Sequence, residues 1–270
     1  MSTEKVRTLF VSDQHLGFRY SRAGGCLHFL KQYEFETLYL VGDFLDGWRL
    51  KRAWFWPEAY TELLQHLLGL VDSGVRIRYT PGNHDDFLRQ GHPSIEGVEI
   101  QDEFVHVTAD DRRLLITHGD LYDAVEKKHH RFSRFGSSMY DLLARLNLLT
   151  NRLLMSIGLG EFNYCFTAKK ISKRIVGAVS GFQSTLTKHA KNNDCHGVIC
   201  GHIHRPALSY DASGFLYANC GDWVEHQSGI IEHLDGTLVL VDRQRELARV
   251  AAVEKMEHSA PKRCRTTVHS

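Results

Sequence analysis

Seven side chains in this 270-residue sequence are of types that bind divalent cations, and they recur in short polar clusters that follow apolar runs. They are Asp13 and His15, Asp43, Asn83, His118, and the pair His202 and His204. Two carboxylates, one amide oxygen and four imidazoles are too many donors for a single tetrahedral zinc site. They suit two divalent ions sharing one carboxylate. The mixture of nitrogen and oxygen donors favours Mn²⁺, Fe²⁺ or Zn²⁺ over a thiolate-bound metal or Ca²⁺. Two such ions about 3.5–4 Å apart activate water and stabilise the oxygens of an in-line displacement at phosphorus. In Val198-Ile-Cys-Gly-His202-Ile-His204 the two histidines are one residue apart, a spacing that puts both on one side of an extended segment.

Donors so far apart in sequence need a scaffold. Val6–Ser12, Thr37–Val41 and Val75–Thr80 read as strands, with a helix over Pro57–Ser73 that begins near a proline and stops at Gly74. Phe104–Thr108 and Arg113–Thr117 read as strands around an Asp110-Asp111 turn. After residue 196 come short strands at Gly197–Cys200, Ala207–Tyr210, Phe215–Asn219, Gly229–His233 and Thr237–Val241. Asp211–Gly214 and Asp235-Gly236 serve as hairpin turns. Early strand–helix alternation followed by strand after strand predicts two packed sheets flanked by helices. Each candidate donor sits where a strand becomes a loop, with Gly42, Gly82, Gly119 and Gly201 beside them.

Composition is that of a globular protein, 43% hydrophobic and 24% charged, with 17 histidines and a net charge of +1. The six cysteines form no CxxC pair, and the N-terminal residues run directly into a strand. The reading is of a cytoplasmic chain with reduced thiols and no targeting segment. No run of about 18 uncharged apolar residues predicts a spanning helix. Residues 125–191 hold twelve Lys/Arg against three acids, a block of +9 in an otherwise acidic chain. The domain reading is therefore a core over 1–244, a helical insertion at 124–191, and a loosely ordered tail at 245–270. Leucine-rich segments in the insertion suit either packing on the chain's own core or a cap for acyl chains that rests on a bilayer. The basic block lacks the interleaved aromatics of a single-strand nucleic-acid platform, so no nucleic-acid partner is expected.

The order D-x-H, G-D, G-N-H-[DE], H-G, G-H-x-H resembles the calcineurin-like metallophosphoesterases. Here it reads Asp13-Gln-His15, Gly42-Asp43, Gly82-Asn83-His84-Asp85, His118-Gly119 and Gly201-His202-Ile-His204, spanning residues 13–204. The resemblance implies an α/β fold, a four-layer α-β-β-α sandwich carrying the helical insertion. It implies that Asp13, His15 and His204 hold one metal, that Asn83, His118 and His202 hold the second, and that Asp43 bridges. It also implies that His84 acts at the leaving-group oxygen, as stabiliser and proton donor, oriented by Asp46 three residues after the bridge.

The His-Gly-Asp at 118–120, the Gly-Asp-Trp at 221–223 and the helical insertion are similar to the UDP-2,3-diacylglucosamine diphosphatase branch. That branch implies a diphosphate cleaved in a lipid A precursor to UMP and an acylated sugar 1-phosphate. Lys170, Lys173 and Arg174 are then candidates for contacting phosphates. The membrane expectation is peripheral contact with the anionic inner face of the inner membrane. The best-known members of that branch carry arginine where this chain has His84. A second reading stays open: a soluble metallophosphatase or phosphodiesterase acting on nucleotides or other phosphoesters.

Overall fold

The computed structural model describes residues 3–89, 95–123 and 181–243. Lys170, Lys173 and Arg174, the leucine-rich segment and the tail at 245–270 lie outside the described residues.

In chain order the elements are β1 (Glu4–Lys5), β2 (Thr8–Val11), α1 (Ala23–Leu30), β3 (Tyr33–Glu34), β4 (Thr37–Val41), α2 (Gly47–Arg52), α3 (Glu58–Asp72), β5 (Arg76–Thr80) and β6 (Val98–Ile100). Then come β7 (Glu103–Val107), β8 (Arg113–Thr117), a helix α4 (181–192), β9 (Gly197–Cys200), β10 (Ala207–Tyr210), β11 (Leu216–Asn219), β12 (Ser228–Glu232) and β13 (Leu238–Asp242).

Two larger sheets form. One has six strands in the order β13-β12-β2-β4-β5-β6, the other five in the order β10-β11-β9-β8-β7. β2, β4, β5 and β6 run parallel, as do β8, β9 and β11. Thr8–Val11 and Thr37–Val41 are buried at every position, as strands covered on both faces must be. The hairpins close on short acidic turns. Asp211 accepts the Ser213 and Phe215 N–H groups between β10 and β11, and Gly236 takes φ +87° between β12 and β13.

Three apolar layers make this a four-layer α-β-β-α sandwich. Phe10, Tyr39 and Val41 of the six-stranded sheet pack between the sheets against Phe104, Leu114, Ile116, Ile199 and Leu216 of the five-stranded one. The outer face of the first sheet is covered by α1 and α3, through Leu27, Phe29, Leu30, Tyr60, Leu63 and Leu67. The outer face of the second is covered by α4, through Phe182, Leu186 and Ala190. Pro57 caps α3 at its start and Gly74, at φ +89°, follows its end.

A buried polar cluster ties the two sheets together. Glu232, fully buried on β12, accepts from Arg7 Nη1 at 2.7 Å and from the Ala109 N–H at 2.9 Å, and its other oxygen lies 2.7 Å from His106 Nε2 on β7. Tyr39 Oη is 3.2 Å from His106 Nδ1, so the imidazole is held at both nitrogens.

One helix has no counterpart in the sequence reading, and one expectation differs from the structure. The segment Ala23–Leu30 is a helix although it carries two glycines, because Leu27, Phe29 and Leu30 bury against the sheet. His202 and His204 do not lie on extended backbone: both are in the left-handed region, at φ +70° and +50°. The loop coils as it leaves β9, so the alternation of an extended strand does not set where their rings go.

Candidate metal centre

The seven candidate donors all follow strand C-termini. β2 leads to Asp13 and His15, β4 to Asp43, β5 to Asn83, β8 to His118, and β9 to His202 and His204. Ligands of open α/β sheets are held at this edge. Here both sheets contribute to one centre. Asp13, His15, Asp43, Asn83 and His118 are buried, and His204 is the most exposed of the seven.

Three sets of donor atoms lie within 4.8 Å of one another: Asp13, His15 and His204; Asp13, Asp43 and His118; and His15, Asp46 and His84. His204 Nε2 is 3.1 Å from Asp13 Oδ1 and 3.3 Å from His15 Nε2. His118 Nε2 is 3.4 Å from Asp43 Oδ2, and the His15 and His118 rings thus face the same two carboxylates. On the far side His118 Nδ1 lies 2.9 Å from the Val41 carbonyl, which can only accept. Neutral His118 therefore keeps its proton on Nδ1 and turns a lone pair into the site. His202 sits beside His118, ring centroids 5.3 Å apart, with its Nε2 3.2 Å from Asp123 Oδ2.

The backbone is bent hard to achieve this. Asp13, His15, Asp43, His202 and His204 all have positive φ, between +50° and +70°. Non-glycine residues seldom adopt that region, and clusters of them mark functional sites. The close approach also fixes Gly82: a Cβ there would overlap Asp43 Oδ1 and the His118 ring.

Charge in the site is balanced by proximity. Burial alone would lift the Asp13 and Asp43 carboxyls, but the imidazoles around them hold both well below the usual carboxylate range. Burial pulls His15 down, yet Asp13 and Asp46 at its two nitrogens raise it to about 10, and His118 is likewise raised by Asp43 and Asp13. Asn83 Oδ1, Asp13 Oδ1 and His118 Nε2 are buried and make no hydrogen bond. Once His118 is neutral these atoms all offer lone pairs in a buried place, and a cation satisfies them. The residues present therefore fit a pair of divalent ions.

His84 stands beside this cluster. Its Nδ1 is 3.1 Å from Asp46 Oδ1, its ring packs on Trp48 with centroids 4.0 Å apart, and it meets the His15 ring edge-on at 4.6 Å. Its backbone N–H donates to Asp43 Oδ1 at 2.8 Å. Asp46 also accepts from the Arg49 N–H as the cap of α2, and its other oxygen pairs with Arg49 Nε at 2.9 Å.

Sequence reading overlooked three supporting carboxylates. Asp85 accepts from the Phe44 and Gly82 N–H groups and from the Tyr79 hydroxyl, and so joins the loops after β4 and β5. Burial and the nearby Asp43 charge raise its carboxyl to about 6. Asp222 accepts from the Val224 N–H at 2.7 Å and lies 2.6 Å from His226 Nδ1 and 4.0 Å from His204 Nδ1. Asp123 is the third, against His202. The signals for two of them were the last residue of the Gly-Asn-His-Asp block for Asp85 and the Gly-Asp-Trp block after β11 for Asp222; Asp123 has no such signal.

The chain is similar to several known proteins. The family model for calcineurin-like phosphoesterases matches residues 6–206. A protein of Edwardsiella ictaluri named UDP-2,3-diacylglucosamine hydrolase is 25% identical over 248 residues, covering 88% of this chain and 90% of its own length. One of the same name from Shewanella baltica is 25% identical over 241 residues, covering 86% and 95%. Among solved structures, a dimetal phosphatase from Danio rerio is 16% identical with a TM-score of 0.42, over 87% of this chain and 95% of that one. With five motif blocks on converging strand ends, donors for a dinuclear divalent centre and a family match across most of its length, the chain belongs to the calcineurin-like phosphoesterases and is a metal-dependent phosphoester hydrolase.

Proposed function

We propose that the chain cleaves the diphosphate of UDP-2,3-diacylglucosamine, or a closely related nucleotide-linked glycolipid, to UMP and an acylated sugar 1-phosphate, a step of lipid A biosynthesis. The relatives that cover nearly the whole chain support the substrate class. The observation that supports the chemistry is the cluster of Asp13, His15, Asp43, His118 and His204 donor atoms beside the His84–Asp46 pair.

Asp13, His15 and His204 would hold one ion and Asn83, His118 and His202 the other, with Asp43 between them; Mn²⁺ is the ion we propose. When bound, the two ions supply a nucleophilic water at neutral pH and neutralise charge at the phosphorus. The chain's own residues do the rest. Asp46 engages His84 Nδ1, which leaves Nε2 to stabilise the departing phosphate oxygen and to give it a proton as the P–O bond breaks. Trp48 limits the rotation of that ring. Lys170, Lys173 and Arg174 are proposed to contact substrate phosphates, with the insertion receiving the acyl chains at an anionic membrane surface. Among the described residues no helix is long and apolar enough to cross a membrane.

The test is direct. Mn²⁺-loaded protein incubated with UDP-2,3-diacylglucosamine should release UMP. Equal turnover of short water-soluble phosphodiesters and absence of UMP would instead establish the second reading, a phosphodiesterase with no lipid requirement.

A further inference from the structure

Next to the metal centre lies a cavity of about 320 Å³, lined by Gly17, Phe18, Arg19 and Tyr20 from the loop after β2, and by Arg49, Arg52, Ala53 and Phe55 from α2 and its exit. Its volume is in the range of small-ligand sites. Among the described residues its lining is one-sided: three arginines and three aromatic rings, with no acidic side chain. Arg49 is anchored, its guanidinium 3.9 Å above the Phe18 ring and its Nε on Asp46. Arg19 and Arg52 are exposed and, among the described residues, have no carboxylate partner. Tyr20 and Phe55 are also more than a third exposed, at 37% and 39%, so both side chains are accessible to a ligand.

The cavity shares a wall with the catalytic groups. Phe18 N–H donates to the His15 carbonyl at 2.9 Å, and the Asp46 carboxylate is touched by His84 on one oxygen and by Arg49 on the other. A molecule seated here is therefore on the His84 side of the centre. Arginines recognise phosphate through paired N–H groups, and aromatic faces stack on planar rings. One ligand class uses both at this size: a planar base joined to a phosphate.

We propose that this cavity binds the nucleoside monophosphate part of the substrate, with Arg52 and Arg19 on the phosphate and Phe55 and Tyr20 against the base. The proposal rests on the reading of the substrate as a nucleotide-linked phosphoester and adds to it where the nucleotide sits.

Binding to the full chain freed of metals by EDTA tests it, because no ion is then present to attract phosphate. Isothermal titration would compare UMP, uridine and inorganic phosphate. The expected result is one UMP per chain, bound at least about tenfold more tightly than uridine or phosphate, and weakened at least about tenfold by Arg52→Ala and by Phe55→Ala. Both side chains are exposed, so neither variant threatens the fold, and circular dichroism checks that. Phosphate binding as tightly as UMP, or either variant binding UMP unchanged, overturns the assignment. The outcome is independent of turnover. Release of UMP from the glycolipid by a chain without this binding would overturn the cavity and keep the function; binding without release would do the reverse.

Discussion

His84 Nδ1 and Asp46 Oδ1 are 3.1 Å apart, and the same Asp46 carboxylate reaches His15 on the metal side at 3.7 Å. One buried acid thus orients the proposed proton donor and a metal-ligand candidate together. Burial would raise this carboxyl, but His15 and His84 hold it far below the ordinary aspartate range, so it remains an anion between them.

His84→Ala is expected to keep the metal content and lose about 10²–10⁴ in turnover of substrates with poor leaving groups. The loss should nearly vanish for a p-nitrophenyl ester, whose leaving group needs no proton. Elemental analysis and a leaving-group series check this. Equal losses across the series would remove the acid role.

Asp46→Asn preserves an acceptor for the Arg49 N–H but removes the charge facing His84 and His15. Turnover should fall about 10–100-fold, and metal affinity should weaken with it, the usual cost of losing an orienting carboxylate. Steady-state rates with a metal titration would show both effects.

Metal loading should depend on pH in a defined sense. In the ion-free chain His15 is raised to about 10 and His118 is raised as well, so both are imidazolium at neutral pH. A cation needs them neutral. Loading must therefore release protons, strengthen as pH rises and weaken as pH falls, by about tenfold per unit for each proton displaced. Calorimetry in buffers of different ionisation enthalpy counts those protons. Chelation should also lower the melting temperature, because Asp13 and Asp43 then rely on imidazolium neighbours alone.

Gly82→Ala should reduce bound metal below two ions per chain without unfolding the protein. The added methyl would fall on Asp43 and His118, which cannot both hold their places. Metal stoichiometry after gel filtration is the measurement.

Away from the centre, Glu232→Gln should destabilise the fold by about 2–3 kcal/mol, since a buried anion is removed from Arg7 and His106. Burial raises this carboxyl, but His106 and its other partners lower it to about 2 from an ordinary 4.5. A depressed carboxylate stabilises the fold above its unfolded pKa. That contribution is full above about pH 4.5 and is lost as pH falls toward 2. Denaturant midpoints of both forms should accordingly converge in acid.

The strands were legible because parallel strands buried on both faces are written as unbroken apolar runs. Thr37–Val41 and Gly197–Cys200 have the same bounds in sequence and structure. The helices α1 and α2 were not legible: two glycines mask the first, and six residues are too few for a periodicity in the second. In the site, strand ends revealed the donors but not the geometry of His202 and His204, since spacing says nothing about left-handed backbone. Asp85 and Asp222 stood inside quoted motifs without a role, and Asp123 went unread, because their partners come from other loops and from backbone amides, which a linear reading does not pair.

The centre is assembled across the junction of two sheets, Asp13, Asp43 and Asn83 from one and His118, His202 and His204 from the other. Its dimensions are thus dictated by the interleaved side chains beneath it. If Ile116 or Ile199 were trimmed, the layers would settle against each other by fractions of an ångström, and bound cations would feel that shift before any unfolding did. The hydrophobic filling of this molecule behaves as a gauge block for its inorganic chemistry.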